Sequence, residues 1–367
     1  MLRRLSVPVF FLLIIAPGTI QACSCVFLSA GCGMALNPGG VVFLGTVISK
    51  IEVQEPTTGG DSTGIGNRYA IHLANTENFE GAGPPGQEIV VYTGQGGGDC
   101  GYPFLVGTSY LVHASSYNGQ LSTSICSGTS PEVMAAGVLR ELRAIRDSGR
   151  VDDLFGTIGI APDGAGFEDL AETRPLPNVS VLVTSSKGEV FSTKTDERGA
   201  FAFARLPRDT YRIEQDLPAG LSTWQSKSGK PLNVEVDDKT GAGAGCQVDV
   251  FSRPDGQISG TVVDASGKGV PGFVTLQPTD PRAAQVAMRR GGLPGCDTDD
   301  GSFSLPQLAP GRYRLVFHPR IGNSVSFRHT FYWPPVSDAS NSLAIELGFG
   351  QHVDTVRFEV AVTDKAQ

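Results

Sequence analysis

One block of sequence occurs twice at a fixed offset, and that repetition constrains the fold more than any other feature. The first copy holds GTIGI (156–160), PNVSVLV (177–183) and TDERGAFAFARLPRDTYRIE (195–214). The second holds GTVVD (260–264), PGFVTLQ (271–277) and TDDGSFSLPQLAPGRYRLVF (298–317). Gly199 and Gly301, Phe201 and Phe303, and Tyr211 and Tyr313 are each 102 residues apart. In both copies Thr-Asp followed by Gly makes a tight turn, because Asp hydrogen-bonds its own backbone and Gly takes positive φ. Phe201/Phe203 and Phe303/Leu305 are period-two apolar pairs on the strand after that turn. Leu-Pro or Ala-Pro makes a second turn, and Tyr-Arg opens the next strand. About 100 residues of short alternating strands, with turns roughly every 10 residues, read as a β-sandwich. The boundary between the copies is expected near Pro254, in FSRPDG.

The segment upstream, Cys23 to about Ser148, has a different pattern. VVFLGTVISKIEV (41–53), RYAIHLA (68–74), EIVVYTG (88–94), SYLVHAS (109–115) and QLSTSIC (120–126) read as strands. Val41, Phe43 and Val47 would share one face, and Tyr69, Ile71 and Leu73 alternate against Ala70, His72 and Ala74. A glycine-rich loop, TTGGDSTGIG (57–66), is expected between the first two strands. Thr129 with Glu132 three residues on is a capping-box pattern, and Pro131 fits the first helical turn. Val138, Leu139, Leu142 and Ile145 repeat at helical spacing, and Gly149 ends the helix. Five strands and a closing helix suit a small OB-like Greek-key barrel.

The N-terminus reads as an export signal over 1–22. Arg3 and Arg4 precede an apolar run from Leu5 to Ala16, and the small Ala22 sits before the expected cut at Cys23. The run is too short for a spanning helix of about 20 residues. The 367 residues suit two or three domains. With 47 Gly and 24 Pro, turns are favoured over long helices, and the expected fold class is all-β. The net charge of −8 and the lack of a basic patch argue against nucleic acid as a partner. An exported chain lets its seven cysteines oxidise. No CxxC pair occurs among them, and an odd number leaves one free, modified or paired with another molecule.

The first region resembles the netrin-like domain of the tissue inhibitors of metalloproteinases. The residues that carry the likeness are Cys23-Ser24-Cys25, then Cys32, FLGTV (43–47), DCGYPF (99–104) and TSICSGT (123–129). The resemblance implies disulfides Cys23–Cys100 and Cys25–Cys126, and leaves Cys32 without a partner in the domain. The two repeats resemble carboxypeptidase regulatory-like domains, which are transthyretin-like Greek-key sandwiches of carbohydrate-binding-like fold. Those domains are accessory units, often in bacterial envelope proteins. The expected organisation is therefore a netrin-like barrel at 23–148 and sandwiches at 153–253 and 254–362. Function does not follow from such folds alone.

The residue types that carry catalysis are not arranged for it. His72, His113, His318, His329 and His352 lie in no metal-ligand spacing, and there is no GxSxG. No catalytic residue, metal or cofactor is expected, and no carboxypeptidase catalytic domain is present. GQGGGDCG (94–101) lacks the Lys-Ser/Thr of a P-loop, and CDTDDG (296–301) lacks the spacing of a calcium loop. Trp224, Tyr332 and Trp333 are candidate sugar-stacking residues, with ordinary packing as the alternative. Cys23 has three readings. It is a framework cysteine, a zinc-chelating terminus as in the resembled inhibitors, or a lipidation site in the lipobox-like Ile20-Gln21-Ala22-Cys23. Lipidation acylates the amine that chelation needs, so those two exclude each other. If Cys23 carries lipid, Cys246 and Cys296 are left as a late pair. The expectation is a non-enzymatic protein, secreted or held in the cell envelope, in the periplasm or on the outer surface. Its partner would be an unidentified protein or glycan at the cell surface, with a metalloproteinase as a further candidate. Contact with membrane is expected only through a lipidated Cys23.

Overall fold

The computed structural model describes residues 30–32, 40–59, 62–96, 99–117, 119–162, 167–223, 232–236, 245–289 and 292–361. Among them the chain is mostly strand, as expected for an all-β protein, and no helix is long and apolar enough to cross a membrane. The export signal at 1–22 lies outside the described residues.

The first strand, β1 (Ala30–Cys32), leaves the barrel region and joins a sheet formed more than 200 residues later. The barrel is made by β2 (Gly40–Gly59), β3 (Ser62–Glu80), β4 (Glu88–Thr93), β5 (Ser109–Tyr117) and β6 (Gln120–Ser122). They pair in the order β2-β3-β4-β6-β5, and β5 returns to β2, so the sheet closes on itself. Only the β4–β6 pairing is parallel. This is the five-stranded Greek-key closure of an OB-like barrel. The first part of β2 is apolar on both faces because both are covered there, while Ile48 and Ile51 further along are exposed. Val41, Phe43 and Val47 point inward with Ile71, Leu73, Tyr102, Phe104 and Tyr110. Val42 and Leu44 point outward and pack under the helix α1 (Ala136–Ser148), against Val138, Leu139 and Leu142. The expected loop at 57–66 is instead mostly hairpin, since β2 runs to Gly59 and β3 starts at Ser62.

The helix starts later than the capping box predicts. Ser130–Pro131 forms a short strand, β7, on the edge of β5, and the Thr129 hydroxyl binds the backbone of His113. The helix instead begins after Ala135, with no side-chain cap. Its end is as expected: Gly149 has φ 66° and donates its N–H to Ile145 O.

The first sandwich faces two sheets over one core. One sheet contains β10 (Ser180–Ser185), β11 (Val190–Lys194), β13 (Asp209–Asp216) and β15 (Leu232–Val236). The other is built around β8 (Leu154–Ile160), which pairs with β9 (Arg174–Pro175), β12 (Ala200–Phe203), β16 (Cys246–Val248) and β17 (Val250–Pro254). β14 (Leu221–Thr223) adds to β17, and β1 adds to β16. Ile158, Val181, Val183, Phe201, Tyr211 and Val248 fill the space between the sheets.

After Asp255 alone, the second sandwich begins. Its smaller sheet is β21-β18-β26, from β18 (Gly256–Val263), β21 (Ser302–Leu308) and β26 (His352–Glu359). The facing sheet joins β19 (Gly272–Pro278), β20 (Gly295–Thr298) and β22 (Gly311–Ile321), with β23 (Ser324–Val325), β24 (Phe331–Tyr332) and β25 (Ile345–Leu347) along β22. A second helix, α2 (Pro281–Arg289), links β19 to β20. Val262, Val274, Leu315, Phe317 and Phe358 form this core.

Candidate functional site

The cysteine-bearing end of the barrel is held by a dense set of hydrogen bonds among the described residues. The glycine run 94–101 wraps a carboxylate of its own. Asp99 accepts the N–H groups of Gln95 at 2.6 Å, Gly96 at 2.7 Å and Gly101 at 3.0 Å. Burial pushes the Asp99 carboxyl up, but these backbone donors outweigh it and hold it below the usual carboxylate range. The glycines are required by the close wrap: a Cβ on Gly94 would lie 2.5 Å from the Asp99 carboxylate, and one on Gly101 2.1 Å from Gly94 O. The donors a phosphate would need are thus occupied by Asp99.

This turn delivers Cys100, at φ 59°, beside the second cysteine loop. Ile125 donates its N–H to Cys100 O at 3.0 Å, which places Cys126 next to Cys100. Both cysteines are disulfide-bonded. Cys23 and Cys25, their partners by the resemblance, lie outside the described residues. The hydroxyls of TSICSGT brace this loop: Thr123 bonds Ser127 at 2.6 Å and Thr129 at 2.8 Å, and donates to His113 O. His113 is buried beneath them, and burial lowers its pKa to about 4. A groove of about 420 Å³ runs along β4 and β6, lined by Glu88, Val90, Tyr92 and Gln120.

The remaining cysteines differ from the expected late pair. Cys246 is bonded to Cys32, across a separation of 214 residues, and Cys296 is free. The pairing is positioned by the β1–β16 ladder, which sets Cys32 directly opposite Cys246. Sequence reasoning missed it because the two residues belong to different modules. The one available signal was that Cys32 had no partner inside its own.

The barrel meets the first sandwich through α1. Gly137 packs directly on Gly156, where a Cβ would lie 2.4 Å from the Gly156 backbone. Thr157 ties the two by accepting the Gly137 N–H at 2.9 Å and donating to Met134 O at 3.0 Å. Glu141 of α1 accepts the Asp152 N–H, and burial, with the Asp152 charge nearby, raises its pKa to about 7. Asp249 accepts the Thr157 N–H and is raised to about 6 by burial.

Two of the candidate sugar-stacking residues, Tyr332 and Trp333, lie side by side in the second sandwich. Trp333 is half-buried against the second core, and its indole N–H donates to Arg357 O. Tyr332 is paired with Val316 in β24. Trp224 lies outside the described residues. The histidines are dispersed: His72 pairs with Glu88, His318 with Thr330, His329 with Ser326 and His352 with Asp255. Among the described residues no cluster of three or more metal-ligating side chains occurs. The acidic turns at 195–201 and 298–303 are Asx turns, with Asp196 accepting from Arg198 and Ala200, and Asp300 from Ser302.

No family model matches the chain. Over 172 residues it is 27% identical to serine-aspartate repeat-containing protein C of Staphylococcus aureus, which covers 41% of this chain and 17% of that protein. Over 158 residues it is 27% identical to serine-aspartate repeat-containing protein D of the same species, covering 40% of this chain and 12% of that protein. The chain thus spans less than a fifth of the length of these curated relatives. Among solved structures, the minor pilin GBS52 of Streptococcus agalactiae aligns at 14% identity and TM-score 0.21, covering 58% of this chain and 98% of that one. The Bacillus anthracis TIE protein aligns at 12% identity and TM-score 0.23, covering 88% of this chain and 51% of that one. Scores this low support no detailed correspondence.

Proposed function

We propose that this chain is an exported, non-enzymatic interaction protein of a bacterial surface, and that the cysteine-bearing barrel end is its contact face. The observation that carries this reading is the convergence of two disulfide-bonded cysteines, Cys100 and Cys126, on one end of the barrel. Tethers of this kind keep a surface stiff, and a preformed surface loses less entropy on binding. The strand order of the barrel supports a netrin-like module at 23–148. The two cores support carboxypeptidase regulatory-like units at 153–253 and 254–362, with β1 lent to the first of them. The partner is a protein or glycan presented at a cell surface.

One finer reading has its own support. The neighbouring Cys100 and Cys126 loops are where the resembled inhibitors anchor a zinc-chelating first residue, here Cys23. The N-terminal peptide of the mature protein from its native host decides this. A free amine on Cys23, bridged to Cys100, predicts inhibition of a zinc metalloproteinase, lost when one residue is added before Cys23. An acylated Cys23 removes chelation and puts the protein on a membrane surface. Retention on intact cells or cell-wall polysaccharide that survives the added residue supports the broader reading. Loss of retention on both surfaces, with no inhibition, overturns it.

A further inference from the structure

We infer that the chain is built to carry tension along its length, which is a function beyond binding. It rests on the surface reading only in supplying the two attachments between which tension would act. The inference itself comes from the direction of the strands at the module ends.

In the second sandwich the first strand and the last are parallel neighbours. β18 runs beside β26 over six residue pairs, from Gln257 opposite His352 to Val263 opposite Glu359. A pull applied at Gly256 and at Glu359 in opposite directions slides these strands past one another. All six pairs then resist together, because the hydrogen bonds lie across the direction of sliding. Peeling would break them one at a time. The first sandwich repeats the arrangement. Its first strand β8 is parallel to β17, with Val250, Phe251 and Ser252 opposite Ile158, Gly159 and Ile160, and parallel to β16 as well.

The joints are stiff in the same direction. A single residue, Asp255, separates β17 from β18. The sandwiches also touch at Gly220 and Gly350, where a Cβ on Gly350 would lie 2.3 Å from Gly220 Cα. Asp255 donates its N–H to Gly220 O at 2.8 Å, and His352 contacts Asp255 O.

The N-terminal end needs a different device, because its strands run the wrong way. β1 and β16 are antiparallel with Ala30 opposite Val248, so the chain enters and leaves at the same end of the ladder. Such a pair peels. The third pair in the ladder is Cys32 opposite Cys246, and there the disulfide stops the peeling. Load that enters upstream of Cys32 crosses the disulfide to Cys246. The barrel and most of the first sandwich therefore drop out of the load path, and the β18–β26 clamp alone is left to yield.

The experiment is single-molecule stretching of the full mature chain, held by handles upstream of Ala30 and downstream of Val360. The oxidised protein is expected to give one release, that of the second sandwich, of about 350 Å at roughly 3.3–3.6 Å per extended residue. The Cys32→Ala/Cys246→Ala variant is expected to release a further ~400 Å from the chain between Cys126 and Cys246, because the Cys25–Cys126 bridge that the resemblance implies still carries load past the barrel. In a second measurement the oxidised chain is pulled through handles on Thr261 and Ser302, which are opposite each other on antiparallel β18 and β21. This direction peels, and is expected to open the second sandwich at a several-fold lower force. Forced opening reads the unfolding barrier and not the equilibrium stability, so the two directions need not agree with thermal data. Equal forces in the two directions, or release of the longer increment with the disulfide intact, overturn the inference. Either failure leaves the surface reading standing, because binding is assayed without load.

Discussion

Gly156 in the first sandwich and Gly260 in the second occupy the same place. Each lies on the opening strand of its module, where the backbone of a late strand crosses close by. A Cβ on Gly156 would lie 1.7 Å from Val248 O, and one on Gly260 2.0 Å from Val356 O. Gly199 and Gly301, at φ 75° and 85°, close the Asx turns of the two modules in the same way. Tyr211 donates its hydroxyl to Pro207 O at 2.7 Å, and Tyr313 donates to Ala309 O at 2.8 Å. The repeated residues thus encode backbone approach and turn geometry. The modules differ where the repeat is silent, in how they finish an edge. The first covers β16 with a strand from outside the module and fixes it covalently. The second leaves β26 at the end of its sheet and sets the Trp333 indole against Arg357 O on that strand. An open edge invites unwanted pairing, and these are two answers to that hazard. Shared chemistry specifies the module, and the unshared chemistry specifies its neighbours.

The comparison can be broken most severely at the shared glycines. Gly156→Ala and Gly260→Ala each force a methyl into a backbone carbonyl. Each is expected to cost on the order of 4 kcal/mol or more and to abolish the calorimetric transition of its own sandwich. Survival of both transitions would mean that the late strand does not pass where the structure puts it.

Removing the unshared device should separate the modules. Cys32→Ala/Cys246→Ala is expected to lower the stability of the first sandwich by about 3–5 kcal/mol, since the disulfide closes a very long loop. The second sandwich should keep its transition, and Cys296→Ser should change it by under about 1 kcal/mol.

The junction carboxylate gives a smaller, pH-dependent contrast. The folded state holds a proton on Glu141 to about pH 7, while an unfolded chain releases it near the ordinary value of 4.5. Its stabilising contribution is therefore full below about pH 4.5 and is lost as pH rises through 7. Between pH 5 and 8, wild type should lose on the order of 2 kcal/mol more stability than Glu141→Gln. His113 runs the other way: its burial as the neutral ring loses stability as pH falls from 6.5 toward 4. It is common to both proteins and cancels in the difference. An identical pH dependence for the two would place Glu141 in water.

The mildest test sharpens the equivalence itself. Tyr211→Phe and Tyr313→Phe should each cost about 1 kcal/mol, and by similar amounts, because each removes one hydrogen bond of the same kind. Clearly unequal losses, measured by denaturant unfolding, would show that the two corners are not the same device.

Legibility in the sequence followed the range of the interaction. The Asx turns at Asp196 and Asp300, the Phe pairs after them and the helix stop at Gly149 were readable because each depends on residues within about five positions. The start of α1 was misread for the same reason in reverse. Thr129 and Glu132 satisfy a local capping rule, but Thr129 is taken by His113, sixteen residues back, and Glu132 bonds to Ser109 O. At the candidate site the sequence showed that Cys100 and Cys126 belonged to a framework. It did not show that Asp99 fills the glycine loop or that the Trp333 indole N–H donates to Arg357 O.

By itself, then, the sequence determined an all-β chain of a barrel and two copies of one sandwich, because periodicity and turn chemistry are local and repeat with the module. Tertiary structure alone decided that residues 30–32 leave the barrel to become an edge strand of the first sandwich, and that Cys32 bonds Cys246. A three-residue strand has no periodicity to read, and a pairing across 214 positions leaves no spacing rule. Only the closing of both modules brings the two thiols together.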